Sequence, residues 1–175
     1  MLRLMLLRHA KAVAESAGGD HARALSPRGK HQAAEIGRYM LAEGLLPDAM
    51  LASDSVRTSQ TWALIQGCFS PAPVVAFERT LYLAHPRSLL TAVHAAGAGC
   101  RNVLVIGHNP GLADVADALT GYGDRYAAAR MRQKYPTCGL AILDFDLEDW
   151  SKIALKTARL ERFIVPADIG ADGDD

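Results

Sequence analysis

Two histidines and two arginines are the residues of this chain best suited to carry chemistry. Arg8-His9 follows directly on the apolar run Leu2–Leu7, and Gly107-His108-Asn109-Pro110 follows directly on a second run, Asn102–Ile106. Arg57 stands in Ser53-Asp54-Ser55-Val56-Arg57-Thr58, just past the short stretch Asp48–Ala52. An imidazole can act as nucleophile or proton carrier near neutral pH, and a guanidinium is a planar cation with several donors. Set around one pocket, these groups suit an anion with several outer oxygens. A phosphoryl group is such an anion. Its transfer needs an in-line nucleophile, and otherwise chiefly positioning and charge stabilisation. Helix starts near Arg57 and Pro110 would add backbone N–H donors.

Each piece alone has a plainer reading. Arg8-His9 could cap a strand end, His108 could be a hydrogen-bonded turn residue, and Arg57 could pair with Asp54. What overrides those readings is the elements that must position them. Leu2–Leu7 and Asn102–Ile106 read as strands covered on both faces. Further strands are expected at Asp48–Ala52, Val74–Phe77, Leu140–Phe145 and Ile153–Leu160. Ser26-Pro27 starts a helix with a serine cap and proline in the first turn, and Ala33, Ile36, Gly37, Met40 and Leu41 form its apolar stripe. Gly44 is its expected stop. Helices also follow Ser53, span Pro86–Ala96, and start at Asn109-Pro110 with a stripe of Leu112, Val115, Ala116 and Leu119. This alternation predicts an α/β fold, a three-layer sandwich with a mostly parallel central sheet and helices on both faces. Ligands of such sheets gather beyond the carboxyl ends of the strands, where Arg8, His9, Arg57 and His108 would all arrive.

The bulk properties are permissive. Half of the 175 residues are hydrophobic, and 19 basic residues balance 19 acidic ones. No general field therefore favours nucleic acid or an anionic membrane, and any anion affinity must be local. Cys68, Cys100 and Cys138 show neither a zinc-ligand spacing nor a C-x-x-C pair, and read as free thiols in a reducing compartment. The apolar start is too short for a membrane span and lacks signal-peptide order, so a cytoplasmic location is expected. His21, His31 and His94 are expected at the surface or satisfied in the fold, and His85 near a pocket rim. Arg125, Arg130, Arg132 and Lys134, within Tyr122–Tyr135, read as a solvated helix face rather than a docking face for an acidic partner.

Four motifs in order resemble the histidine phosphatase superfamily, and within it the compact SixA-like phosphohistidine phosphatases. They are Leu7-Arg8-His9, Leu25-Ser26-Pro27-Arg28-Gly29, Ser53 with Arg57-Thr58, and Val105-Ile106-Gly107-His108-Asn109-Pro110. Leu81-Tyr82-Leu83-Ala84 and Tyr135-Pro136-Thr137 are similar to segments of the same branch. Ala10 stands where that pattern usually has glycine. The resemblance implies a phosphoglycerate mutase-like domain over residues 1–165, with 166–175 a disordered acidic tail. It also implies a phosphatase without metal or cofactor. His9 would take up the phosphoryl group, with a backbone carbonyl holding its second nitrogen, while Arg8, Arg57, a protonated His108 and Asn109 would hold the oxygens. Glu78 would be the general acid needed for an ester leaving group and less needed for phosphohistidine. The short chain leaves few residues for a lid, which favours a phosphorylated protein as partner. The alternatives are a small-molecule phosphomonoesterase of the same superfamily and a phosphate-dependent binding protein with little catalysis.

Overall fold

The computed structural model describes residues 1–96 and 98–171. A seven-stranded sheet forms its middle layer: β1 (Leu2–Arg8), β2 (Ala49–Ser53), β3 (Val74–Glu78), β4 (Asn102–Gly107), β5 (Thr120–Gly123), β6 (Leu140–Phe145) and β7 (Ala158–Ile164). The strand order is β3-β2-β4-β1-β6-β7-β5, and β6 alone among them runs against its neighbours. Helices α1 (Pro27–Ala42) and α2 (Val56–Ile65) cover one face; α3 (Pro86–Ala96), α4 (Gly111–Leu119) and α5 (Arg125–Gln133) cover the other.

The central strands β1, β2, β4 and β6 are largely apolar because both faces are packed, and parity sorts their side chains. In β1, Leu2, Leu4 and Leu6 face α3–α5, while Met5 and Leu7 face α1 and α2. Val103 and Val105 of β4 take the first side, Leu104 and Ile106 the second, as a period of two requires. Sequence periodicity therefore locates β1, β2, β3, β4 and β6 to within a residue or two.

Other expectations are corrected. The last strand lies at Ala158–Ile164 rather than Ile153–Leu160; Trp150–Lys152 is a 3-10 turn and Leu155 is solvent-exposed. Thr120–Gly123 is a strand that its two glycines conceal. Leu41 lies outside the buried stripe of α1 and is 52% exposed. Ser26 does cap α1, its hydroxyl accepting from the Gly29 N–H at 3.1 Å. Asn109 caps nothing, and α4 starts after Pro110 without a side-chain cap. Residues 166–171 form a 3-10 turn (Pro166–Ile169) against α1 and end on Ala171, held by the burial of Pro166 and Ala171. Residues 172–175, the remainder of the expected tail, lie outside the described residues.

Candidate active site

Because β1 and β4 are parallel neighbours with Arg8 opposite Gly107, His9 and His108 leave the sheet side by side. Their ring centroids are 5.1 Å apart. Arg57 comes from the first turn of α2, next to β2. All three are almost fully buried.

The tautomer of His9 follows from its contacts. Its Nδ1 lies 2.8 Å from the Ala10 carbonyl oxygen, which can only accept, so Nδ1 carries the hydrogen. Its Nε2 receives the Arg57 Nε–H at 3.2 Å and therefore presents a lone pair. Burial, then the charges of Arg57 and Arg8, push the His9 pKa down to about 4, against the opposing pull of the Ala10 carbonyl. A neutral imidazole whose Nε2 carries a lone pair rather than a hydrogen is a competent nucleophile at neutral pH.

His108 is set by a chain of hydroxyls. Thr58 donates to backbone carbonyls of Ser53 and Ser55, Ser55 Oγ lies 2.8 Å from Thr58 Oγ1, and Ser53 Oγ lies 2.6 Å from His108 Nε2. The Ser53 hydroxyl also lies 3.0 Å from Thr58 Oγ1, so Ser53 and His108 Nε2 share one hydrogen bond within a hydroxyl chain, with His108 Nδ1 outside it. That Nδ1 is buried and has no partner. Burial, followed by the neighbouring His9 and Arg57, lowers the His108 pKa to about 3. Burial and the cationic neighbours thus favour a neutral His108, in contrast to the protonated form expected from sequence.

Arg8 and Asn109 share one acceptor. Arg8 Nη1 and Asn109 Nδ2 each lie 2.9 Å from the Tyr135 carbonyl oxygen, tying the end of α5 to the pocket. Asn109 thereby braces Arg8. Glu78, at the end of edge strand β3, accepts from the Thr80 hydroxyl at 3.1 Å. Among the described residues no hydrogen bond or ion pair joins Glu78 to Arg8, His9, Arg57 or His108.

The carboxylate that does reach the pocket is Asp20, which sequence reasoning left undecided. Its Oδ2 takes the Arg57 Nη2 at 3.0 Å and its carbonyl oxygen takes Nη1 at 2.6 Å. Arg23 and the Tyr82 hydroxyl bind the same carboxylate, and these contacts, led by Tyr82, hold its pKa far below the usual carboxylate range. The Tyr82 ring meets His108 edge-on at 5.4 Å. His21, expected at the surface or satisfied, pairs with Asp54 at 2.7 Å. His85 accepts from its neighbour Arg87 N–H. Only the glycine pair Gly18-Gly19 hints in the sequence that the loop before Asp20 could fold back.

The family model for the histidine phosphatase superfamily (branch 1) matches residues 4–79, which hold Arg8, His9 and Arg57. An uncharacterized protein of Mycobacterium tuberculosis is 33% identical over 91% of this chain and 99% of its own length. A candidate phosphohistidine phosphatase SixA from Agrobacterium tumefaciens superposes with a TM-score of 0.79 at 29% identity, covering 94% of this chain and 98% of that one. A candidate alpha-ribazole-5'-phosphate phosphatase of Escherichia coli shares the fold, with a TM-score of 0.63 at 18% identity over 92% of this chain and 96% of its own. With the tautomer-locked His9 at the sheet edge and these likenesses along nearly its whole length, the chain belongs to the histidine phosphatase superfamily, on its SixA-like side.

Proposed function

We propose that this protein hydrolyses phosphohistidine on a phosphorylated protein, through a covalent phosphoryl-enzyme at His9 and without a metal ion. The observation that carries the reading is the Nε2 of His9, its lone pair fixed by the Ala10 carbonyl on the far nitrogen and met by Arg57, with Arg8 and the ring of His108 beside it. In the first step Nε2 bonds to phosphorus as the P–N bond of the substrate breaks. The substrate imidazole keeps the hydrogen on its other nitrogen and leaves neutral. His9 is then an imidazolium, its Nδ1–H still held by Ala10, and a good leaving group for water. Attack by water returns the bonding pair to Nε2 and sends the water proton to phosphate or solvent. The arginines and His108 stabilise charge on the outer oxygens in both steps.

The leaving group favours the phosphoramidate. An alkoxide needs a proton donor, yet among the described residues Glu78 forms no hydrogen bond or ion pair with the four pocket groups, and Asp20 is held ionised. Three cysteines without disulfide partners suit a cytoplasmic location. The test is phosphate release from a phosphohistidine peptide and from a panel of phosphoesters, with chelator present. We expect preference for phosphohistidine, an acid-labile phosphoryl-enzyme, loss of both in His9→Ala, and no change in Glu78→Gln. Preference for one phosphoester, lost in His9→Ala, would move the function to a small-molecule phosphomonoesterase. Turnover that survives His9→Ala would sink the mechanism.

A further inference from the structure

Arg8 belongs to two spaces. Besides the phosphate pocket it lines a groove of about 850 Å³ that runs past Lys11, between the start of α1 and the end of α5, and over Phe163 and Val165. The groove wall carries Arg8, Lys11, Arg28, Arg130 and Lys134 and not one carboxylate. In a chain with no net charge this is a local positive field, and such a field draws anionic partners. Arg130 is held by Asp168 at 2.8 Å. Lys11 and Lys134 have no ion-pair partner among the described residues.

Among the described residues, buried polar atoms on Arg8 and Gln32, which both line the groove, are unsatisfied. Arg8 Nε is buried and bonded to nothing, and Gln32, only 3% exposed, leaves its Oε1 without a donor. Such atoms cost stability unless something meets them. A polypeptide with acidic side chains offers carboxylates for the lysines and apolar stems for the Phe163, Val165 and Pro166 side of the groove. The volume is in the range that holds several connected groups of a ligand.

We propose that this groove is a docking channel for an acidic segment of the phosphorylated protein substrate, engaged through Lys11 and Lys134 beside the phosphoryl group held at Arg8. The proposal rests on the phosphohistidine phosphatase reading and adds to it the sequence class of the substrate. The variant Lys11→Glu/Lys134→Glu, compared with wild type, tests it on three substrates: free phosphohistidine, a phosphohistidine peptide with acidic flanks, and the same peptide with neutral flanks. Wild type should prefer the acidic peptide through a lower KM, and the preference should shrink as salt rises. The variant should lose roughly tenfold or more in kcat/KM on that peptide, about what two lost and reversed charge pairs supply. Its unchanged rate on free phosphohistidine certifies the fold. Equal turnover of both peptides by wild type, or equal losses on all three substrates, would overturn the proposal. If wild type hydrolyses none of them, the phosphatase reading has failed and binding still judges the groove. A labelled acidic peptide without a phosphoryl group should then bind wild type and not the variant; equal binding to both, or none to either, would overturn it.

Discussion

At the scale of single residues, the site is an arrangement of protons as much as of charges. His9 and His108 both sit neutral because burial and two guanidiniums oppose a third positive charge nearby. The consequence for rate has a definite sign. His9 must be unprotonated to attack, so kcat/KM falls on the acid side only as pH drops through about 4, well below the usual histidine value. A pH–rate profile with its acid limb near 6.5 would contradict the assigned environment. Asp20 leads to a second prediction. Its carboxylate occupies one N–H group of Arg57 and neutralises charge that an anion would use, so Asp20→Asn should bind inorganic phosphate several-fold more tightly, read as a lower inhibition constant at low salt. Residue types made the histidines and arginines visible in the sequence, since few other roles put imidazole and guanidinium just past apolar strands. Asp20 carried no such mark: its place depends on a loop folding back, and no periodicity encodes that.

At the scale of elements, the start of α1 is fastened to the segment that carries His9. Ser26 N–H and Oγ both lie against the Lys11 carbonyl, and a Cβ on Gly29 would stand 1.9 Å from that oxygen. Gly29→Ala therefore forces α1 and Lys11 apart, moving Ala10 and with it the carbonyl on His9. We expect about 1–3 kcal/mol of destabilisation, measured by urea unfolding, and a disproportionate loss of kcat. Ser26→Ala removes the cap and the Oγ bond to Lys11 but keeps the Ser26 N–H bond to the same carbonyl, costing about 1 kcal/mol with activity nearly intact. Long apolar strands and the capped helix were legible because burial on two faces and a cap leave local signatures. The last strand was misplaced because Ile153, Ala154 and Leu155 read as strand while forming an exposed turn. Thr120–Gly123 escaped because it pairs through backbone alone.

At the scale of the whole molecule, the same two histidines tie stability to pH. Their folded pKa values lie below the unfolded value near 6.5, so the contribution of the neutral rings is complete above that value. It is lost as pH falls from about 6.5 toward 4 for His9 and 3 for His108. Each should approach a loss of about 1.4 kcal/mol per pH unit within that window. Unfolding at pH 7 and pH 5 should show the drop, and His108→Asn should flatten it. A wild-type stability flat across that range would refute both assignments. The sheet also depends on a cross-strand pair at its centre. Arg3 meets Asp144 through two bonds of 2.7 and 2.8 Å between β1 and the antiparallel β6, and Asp144 is nearly buried. Asp144→Ala should cost about 2–3 kcal/mol, discounted because Arg3 is partly exposed.

The group that locks His9 is a main-chain carbonyl, and this gives the tautomer an unusual robustness to mutation. Trimming Ala10 to glycine leaves that acceptor in place, so a side-chain deletion at position 10 stays blind to what aims the nucleophile, and only a change in the backbone itself reaches it. Its inheritance lies in the path of the backbone, steadied by the Ala10 N–H bond to Thr61 Oγ1 at 3.1 Å. An ester in place of the peptide bond between Ala10 and Lys11 weakens the acceptor without altering a single side chain, and exposes a determinant that ordinary substitutions leave silent.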